Sequence, residues 1–323
     1  MKRIVFTEPG GPEMLVVETV PIPKPKPTQI IVKNQAIGVN YIDVLYRSGT
    51  YAANGRSGIG EEGAGVVLNV GQRVEGFQVG DPIAYAFAER RAYADYVALD
   101  EACVFHRPPK ISPALAASVL FKAMTGFYLT HKTWKIHKNA TVFVNGASGG
   151  VGRAIVRFSK RLGATVLGQV GRPRKIEFAL AAGCDHVLCG SEADVIKRVR
   201  DYTNGRGVDA VYDAVGEAAK GVALGVLAER AIWVQYGAVS GSISNFELML
   251  LAKHGSLYVT RPTSNTYLAS RTQREEAASA VWEAIESGLF DDLIWLTLPL
   301  EDASKAHSIL EKRTAPGPLV LQP

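Results

Sequence analysis

The chain has 323 residues, of which 47% are hydrophobic and 21% charged, a composition typical of a globular protein long enough for two domains. The formal net charge is +5, and the basic residues form no block of five or more, which argues against a nucleic-acid-binding tail. Three cysteines without metal-ligand spacing, no signal peptide and no apolar run of membrane length lead us to expect a cytoplasmic protein without membrane segments.

The first 110 residues are predicted to be rich in β-structure. Short runs of β-branched and aromatic residues alternate with glycine turns, a pattern typical of a small barrel. The proline-rich stretch at residues 21–27 cannot join a strand ladder and is expected to be an extended connection, and residues 40–49 are expected to form a short helix. The predicted strands cover residues 3–6, 15–20, 29–37, 63–70, 83–87 and 93–99.

Helical signals begin at residue 112. Ser112 followed by Pro113 is the pattern of a helix cap with proline in the first turn, and an alanine-rich helix is expected to continue to Val119. A second helix is predicted over residues 120–132. Because glycine destabilises helix interiors, Gly126 favours a break in this second helix.

Residues 141–152 combine a strand, a glycine turn and a helix start. A β-branched and aromatic run is followed by glycines at positions 146, 149, 150 and 152, and apolar residues at helical spacing then predict a helix over residues 151–162. Glycine lets the backbone approach a pyrophosphate, and the N–H groups of a helix start bind negative charge. We therefore expect a dinucleotide here, although such turns also occur as plain connections. The expected contacts are Ala147, Ser148, Gly149, Gly150, Val151 and Gly152.

Strands and helices alternate from this turn onward, which predicts a doubly wound parallel sheet, so the expected fold class is α/β. In the tail, helices are predicted at residues 271–287 and 301–312, and strands at residues 295–298 and 319–321, the last completing the sheet of the first domain. The predicted sheet strands cover residues 142–145, 165–170, 186–189, 210–213, 231–237 and 256–259, and the helices among them cover 151–162, 174–181, 192–202, 218–228 and 245–253.

The tip of the second sheet strand indicates which dinucleotide binds. About 20 residues past the glycines, an NAD site carries an acidic residue for the ribose 2′-hydroxyl. This chain has Arg172, Arg174 and Lys175 there and no carboxylate. Three cations attract a 2′-phosphate, which predicts NADPH as the cofactor. The alternative is a solvated basic helix start, although cations in a first helical turn oppose the helix dipole.

Six motifs fall in the same order as in a known family. They are GGPEML at residues 10–15, AIGVNYID at 36–43, GEEGAGVV at 60–67, VG at 70–71, FQVGD at 77–81 and GSLYVTRP at 255–262. With them the chain resembles the NADPH:quinone oxidoreductases, the zeta-crystallin-like, zinc-independent branch of the medium-chain dehydrogenases/reductases. The resemblance implies a GroES-like β-barrel catalytic domain at residues 1–121, a Rossmann NADPH-binding domain at 122–260, a segment at 261–323 that returns to the catalytic domain, and a homodimer.

Zinc-dependent alcohol dehydrogenases of the same superfamily have a cysteine near position 40, a histidine before the signature glutamate and a four-cysteine lobe. Here Asn40 and Glu61 hold the first two places, and residues 81–96 contain no cysteine. Since a zinc site needs three or four N, S or O ligands, we expect no metal. Of the adjacent Glu61 and Glu62, we expect one to be buried with a partner and the other to be solvated.

Without a metal, the substrate must accept a hydride unaided, as quinones and activated enones do. We expect polar groups at the nicotinamide end from Asn40, Tyr46 and Thr125, with Asn40 and Thr125 also contacting the cofactor. Each residue also has a purely structural alternative. Asn40 is then an amide that caps a turn, Tyr46 an amphipathic residue of a wall, and Thr125 a helix hydroxyl bonded to its own backbone. Ligands lie at the carboxyl ends of parallel strands, so further cofactor contacts are expected there. These are Ala214, Val215, Tyr236, Gly237, Thr260 and Arg261, together with Arg313 near the C-terminus. Arg261 and Arg313 resemble family residues that approach the cofactor, and the alternative for each is a surface cation.

Two positions depart from the family pattern. Its members usually have a tyrosine five residues after the asparagine, whereas here Leu45 holds that place and Tyr46 follows, a rotation of about 100° on a helix. They also have a tyrosine after the third Rossmann strand that contacts the 2′-phosphate, where this chain has Cys189. NADPH preference then depends on the cations at residues 172–175, of which Lys175 matches the family residue directly.

The leading hypothesis is a zinc-independent, NADPH-dependent quinone reductase. A close alternative is an NADPH-dependent enone or alkenal double-bond reductase, which the same residues would serve. A minor alternative is the RNA-binding or structural role of some zeta-crystallin relatives, but no aromatic-and-basic sheet motif supports RNA binding. The strand at residues 231–236 is expected near an exposed sheet edge, where two copies of the chain can pair.

Overall fold

The computed structural model describes residues 1–52, 57–290 and 294–323. The chain divides into two compact units. Unit 1 contains Met1–Met124 and Ser270–Pro323, and unit 2 contains Thr125–Ala269. Within the described residues, no helix combines the length and the apolar character that crossing a membrane requires.

The amino-terminal part of unit 1 is built from short strands, as the turn-rich sequence predicts. The strands are β1 (Lys2–Phe6), β2 (Val16–Thr19), β3 (Gln29–Gly38), β4 (Ser57–Gly58), β5 (Glu62–Val70), β6 (Pro82–Ala86), β7 (Tyr96–Asp100) and β8 (Val104–His106), and the helices are α1 (Tyr41–Arg47) and α2 (Pro113–Tyr128). Their inward side chains form one apolar core, in which Ile30, Ile37 and Ile83 are fully buried.

Helix α2 differs from the prediction of two helices with a break near Gly126. It runs unbroken to Tyr128 and ends in a π-turn at Leu129–Thr133. A Cβ atom at position 126 would lie 2.8 Å from the Cβ atom of Ala154. Glycine therefore lets α2 pack closely on its neighbour within unit 2, and this packing outweighs the low helix propensity of glycine.

Unit 2, which is described without gaps, is a six-stranded parallel sheet with helices. The strands are β9 (Thr141–Asn145), β10 (Thr165–Gln169), β11 (His186–Leu188), β12 (Val208–Asp213), β13 (Leu227–Gln235) and β14 (Tyr258–Thr260), and the helices are α3 (Gly150–Arg161), α4 (Ile176–Ala181), α5 (Glu192–Tyr202), α6 (Lys220–Val226), α7 (Met249–Lys253) and α8 (Ser264–Tyr267). The strand order is β11-β10-β9-β12-β13-β14, with every neighbouring pair parallel. This is the order of a doubly wound dinucleotide-binding sheet, so the predicted sheet is confirmed.

One detail of unit 2 agrees with the sequence-based expectations and another corrects them. The strand expected near the sheet edge, β13, lies next to β14, which forms the edge itself. The helix predicted to start at residue 245 starts at Met249. In the middle of the sheet Val142, Phe143 and Val144 are fully buried, as their apolar run predicts.

The carboxyl-terminal part of the chain belongs to unit 1. Its elements are α9 (Arg271–Glu286), β15 (Leu296–Pro299), α10 (Ala303–Glu311) and β16 (Leu319–Gln322). Strand β16 pairs with β3, with Leu321 opposite Ile37, so the last strand completes the first sheet as predicted. The larger sheet of unit 1 has the order β15-β16-β3-β5-β6-β8 with β7 also on β3, and the smaller sheet has the order β2-β1-β4.

Candidate functional site

The glycine turn of unit 2 leads from β9 into α3. Gly146 has φ +77°, in the left-handed region, and a Cβ atom on Gly152 would lie 2.2 Å from the carbonyl oxygen of Gly146. Both positions therefore require glycine. Helix α3 begins at Gly150, and its first turn contains no acidic residue. A glycine-rich turn that leads directly into the N–H groups of a helix start fits a pyrophosphate.

Other predicted cofactor residues of unit 2 come together around this turn. The position of a Cβ atom on Gly146 is 3.5 Å from the Cβ atom of Ala214, and that of Gly237 is 2.7 Å from the Cα atom of Ala214. The guanidinium of Arg261 donates a hydrogen bond to the backbone carbonyl of Gln235 at 3.0 Å. The ends of β9, β12, β13 and β14 thus form one continuous edge, at which Thr260 is also half-buried.

Asp213 shapes the loop that carries Ala214 and Val215. It is fully buried at the end of β12, and its carboxylate accepts hydrogen bonds from the N–H of Val215 at 2.7 Å and from Trp233 Nε1 at 3.3 Å. Burial raises the pKa of Asp213 to about 6, while these hydrogen bonds oppose the rise. The loop is therefore held by a charge-assisted hydrogen bond at neutral pH.

Two polar groups at the same sheet edge lack a protein partner. The hydroxyl of Tyr236 and Oε1 of Gln169 are buried and make no hydrogen bond to any residue that the structure describes. Burial also raises the pKa of Tyr236, so its hydroxyl stays a neutral donor. Buried polar groups are nearly always paired, so a donor and an acceptor left open at a ligand-binding edge fit a polar cofactor.

The three predicted cations follow β10, the strand next to β9. Arg172 and Arg174 are exposed, and Lys175 is half-buried at the start of α4. Because β10 ends at the same edge as β9, the cations lie at the edge that carries the glycine turn. Strand β11 ends at Leu188, so Cys189 occupies the place where family members have their tyrosine.

Asn40 anchors a buried polar cluster in unit 1. Its Nδ2 donates a hydrogen bond to Glu62 Oε1 at 2.9 Å, and its backbone N–H donates to Asp43 Oδ2 at 2.9 Å. Glu62 is fully buried, forms an ion pair with Lys122 and accepts a hydrogen bond from the N–H of Phe121 at 2.8 Å. Since Nδ2 points to Glu62, the amide oxygen of Asn40 is directed away from it.

Both glutamates next to β5 are buried, with Glu61 6% exposed and Glu62 0% exposed. The expectation that one of them is solvated is therefore wrong. Neighbouring residues of an extended chain point to opposite sides, and here both sides are covered. Lys122 pairs with Glu62 on one side, and the backbone N–H groups of Glu89 and Arg90 bond to Glu61 on the other.

Tyr46 is half-buried in unit 1. The guanidinium carbon of Arg90 lies 5.0 Å from the centre of its ring, and Tyr51 meets the ring edge-on with 5.7 Å between centroids. Burial and the negative charge of Glu61 raise the pKa of Tyr46, so the phenol keeps its proton at neutral pH. Leu45, which holds the place of the family tyrosine, is also half-buried.

The remaining predicted residues lie in different units. Thr125 is buried in α2 within unit 2, whereas Arg313 is exposed after α10 in unit 1. The predicted site residues are therefore divided between the two units. The turn residues Ala147, Ser148, Gly149 and Val151 belong to unit 2 together with the strand-end residues.

The sequence analysis missed the roles of Glu62, Lys122 and Arg90. A signal was present for the first two, because a glutamate in a strand of small apolar residues and a lysine in an apolar helix are both candidates for a buried pair. Arg90 carries no such signal, since it follows Glu89 in a charged loop. Among the residues of the described ranges, no group of three or more histidine, cysteine, aspartate or glutamate side chains is placed to hold a metal ion.

Comparisons with known proteins agree with this architecture. The alcohol dehydrogenase GroES-like domain family matches residues 26–112, and the zinc-binding dehydrogenase family matches residues 150–280. These matches confirm the predicted fold class of a GroES-like domain with a Rossmann sheet.

Individual relatives match along the whole chain. A quinone oxidoreductase of Pseudomonas aeruginosa is 37% identical over 100% of this chain and 99% of its own length. A 2-haloacrylate reductase of Burkholderia sp. is 33% identical over 99% of this chain and 98% of its own. The crystal structure of Escherichia coli quinone oxidoreductase complexed with NADPH, 36% identical, superimposes with a TM-score of 0.97 over 100% of both chains. The chain therefore belongs to the quinone oxidoreductase family of medium-chain dehydrogenases/reductases, as its motifs predict.

Proposed function

We propose that this chain is an NADPH-dependent quinone reductase that needs no zinc. The observation that carries the proposal is the sheet edge of unit 2, where a turn that requires glycine at positions 146 and 152 lies beside a strand end with three cations and no carboxylate. A pyrophosphate fits the turn, and a 2′-phosphate fits the cations. The quinone oxidoreductases among its relatives, one of them solved with NADPH, support the same assignment.

Each group of residues has a distinct role in this proposal. Bound NADPH supplies a hydride from its dihydronicotinamide ring. The turn from Ala147 to Gly152 holds the pyrophosphate, and the cations at residues 172–175 hold the 2′-phosphate. Further cofactor contacts come from Ala214, Val215, Tyr236, Gly237, Thr260, Arg261 and Arg313.

Asn40, Tyr46 and Thr125 act at the nicotinamide end. Glu62 holds the amide of Asn40 in one orientation, and Tyr46 offers a neutral hydroxyl to a substrate oxygen. With no metal to polarise the substrate, catalysis depends on positioning and on hydrogen bonds to the developing oxyanion.

Quinones are the proposed substrate class, and activated alkenes are the second. One relative is a 2-haloacrylate reductase, which is consistent with the second class. The same hydride can saturate a double bond next to a carboxylate or carbonyl. In both cases the accepting molecule must stabilise the incoming electron pair on oxygen.

The organisation of the molecule is part of the proposal. Residues 1–121 form the catalytic domain, residues 122–260 the NADPH domain, and residues 261–323 return to the catalytic domain. The compact units have the same order, but their boundaries follow Met124 and Ala269, so residues 261–269 belong to unit 2. We propose a homodimer that pairs through the edge strand β14, where Tyr258 is 63% and Val259 41% exposed. A cytoplasmic location fits three cysteines that are all unpaired.

The test is NADPH oxidation by purified, chelator-treated protein with 1,4-benzoquinone, phenanthrenequinone and an alkenal in parallel, and with NADH as the control. Turnover of a quinone with NADPH, unaffected by the chelator, is the expected result. Turnover of the alkenal alone moves the assignment to double-bond reduction. No turnover with any acceptor contradicts the proposal. Sedimentation of the wild type and of a Tyr258→Glu, Val259→Glu variant tests the dimer, which the variant should weaken.

A further inference from the structure

Glu61 has an unusual setting in unit 1. It lies between Gly60 and β5, where the zinc enzymes of the superfamily have a histidine ligand, and it is 6% exposed. Its carboxylate accepts hydrogen bonds from the backbone N–H groups of Glu89 and Arg90. Within the described residues this buried carboxyl is held by main-chain donors and forms no salt bridge.

The backbone that binds Glu61 is strained. Phe87, Glu89 and Arg90 have φ angles of 61°, 52° and 64°, in the left-handed region that residues other than glycine rarely adopt. Successive N–H groups in such a conformation form a concave anion-binding site, which here receives the side chain of Glu61. Strain of this kind persists where the surroundings enforce it and is concentrated at functional sites.

Charged groups of two segments face Glu61. Burial, the largest effect, and the charge of Glu89 favour the protonated acid, while Arg90 and the two N–H groups favour the carboxylate. The balance raises the pKa of Glu61 to about 7. From α1, Asp43 and Tyr46 also interact with it, because the pKa of each is raised first by burial and then by the charge of Glu61.

The neighbouring candidates are less suited to release a proton. Glu62 is ion-paired with Lys122 and bonded to Asn40, and Asp43 accepts hydrogen bonds from the Asn40 N–H and from Tyr93. The raised pKa of Tyr46 makes its phenol a weak acid. Glu61 has a carboxyl pKa near neutral, and its charge acts on Tyr46 more strongly than the charge of Asp43 does.

We propose that Glu61 is the general acid that completes the reduction of the substrate. A quinone that has received a hydride is a hydroquinone monoanion. The O–H bond of the Glu61 carboxyl then breaks, its proton forms the second O–H bond of the hydroquinone, and the electron pair stays on the Glu61 carboxylate, which water reprotonates. With an enone, the same proton goes to the enolate. This inference rests on the proposed function, because it needs a hydride acceptor in the site.

The experiment compares the wild type with Glu61→Gln, Glu61→Asp and Glu75→Gln, the last being an exposed glutamate of the same unit. kcat is measured against pH with a quinone and NADPH. The wild type and Glu75→Gln should lose kcat as the pH rises through the pKa of about 7, because the acid form disappears. Glu61→Gln should be slower on the acidic side by about a hundredfold and independent of pH, and Glu61→Asp should restore part of the pH-dependent rate.

One binding measurement and one titration accompany the rates. NADPH binding, followed by its fluorescence, should be the same in all four proteins. Carbon NMR of glutamate-labelled protein should show one carboxyl group that titrates near neutral pH and is missing in Glu61→Gln, and this measurement needs no turnover. A wild-type pH profile retained in Glu61→Gln overturns the inference while leaving the proposed function intact. A wild type that binds NADPH but reduces no acceptor overturns the proposed function and the inference together.

Discussion

The glycine turn of unit 2 and the polar cluster of unit 1 are assembled in opposite ways. The turn is local, because its steric requirement joins Gly146 and Gly152, six residues apart, through a single carbonyl oxygen. The cluster is non-local, because Asn40, Glu62 and Lys122 come from a helix start, a strand and a second helix. A local motif depends on its own residues, whereas a cluster from distant segments depends on strand register.

The register of β3 and β5 illustrates this dependence. Gly38 lies opposite Glu62, and a Cβ atom on Gly38 would lie 2.4 Å from Glu62 Oε1 and 1.9 Å from the carbonyl oxygen of Ala117. The space for the Glu62 carboxylate therefore exists because a glycine of another strand faces it. Substitutions in the cluster should consequently affect folding and activity together, and those in the turn should affect mainly NADPH binding.

The largest effect is expected from Glu62→Gln. Removing the carboxylate leaves Lys122 without its buried partner, which should cost about 3–5 kcal/mol in the free energy of unfolding. Urea unfolding measures the loss. The control is Glu301→Ala, which breaks an exposed, solvent-screened ion pair with Lys2 and should cost much less. Equal losses in the two variants would contradict the importance of the buried cluster.

Next in size is the pH dependence of stability in Glu61→Gln. The pKa of Glu61 is raised from 4.5 to about 7 in the folded state, so its contribution to stability is complete below 4.5 and is lost as the pH rises through 7. A neutral glutamine avoids this loss. The free energy of unfolding, measured at several pH values, should therefore rise in the variant relative to the wild type as the pH increases, by up to about 3 kcal/mol. A constant difference across this range would mean that Glu61 is charged in the folded protein at all these pH values.

Gly152→Ala tests the local site. The added Cβ atom meets the carbonyl oxygen of Gly146, a backbone atom that can move only if the turn is distorted. This distortion should cost about 1–3 kcal/mol in the free energy of the native turn. NADPH fluorescence titration should show a corresponding loss of affinity. In Gly76→Ala no atom lies within 4 Å of the new Cβ atom, and NADPH binding should be unchanged. Full affinity in Gly152→Ala would remove the pyrophosphate role of the turn.

The smallest effect is expected from Lys175→Ala. Loss of one cation at the 2′-phosphate position should raise KM for NADPH about tenfold, equivalent to about 1.4 kcal/mol, and leave KM for NADH unchanged. Steady-state kinetics with both cofactors measures the difference. Lys197→Ala, which removes an exposed cation paired with Asp201 on α5, is the matched control. A similar change for both cofactors would place Lys175 outside the 2′-phosphate site.

Much of the fold was readable from the sequence, because helical and strand periodicity and glycine turns act over a few neighbouring residues. The sheet of unit 2 and the completion of the first sheet by residues 319–321 follow from such local patterns and from the family resemblance. The sequence also identified Asn40 and the cations at residues 172–175 as candidate site residues. Their cofactor and substrate contacts stay predictions that the experiments above test.

Only the tertiary structure decided how distant segments cover one another. The burial of both Glu61 and Glu62, the unbroken α2 across Gly126 and the edge position of β14 all depend on which segment packs against which. Sequence alone determined the periodicities and the residue types at the turn, since these express local hydrogen bonding and steric limits. Register, packing and the pKa of a buried carboxyl arise from contacts between residues far apart in the chain, and no local pattern contains them.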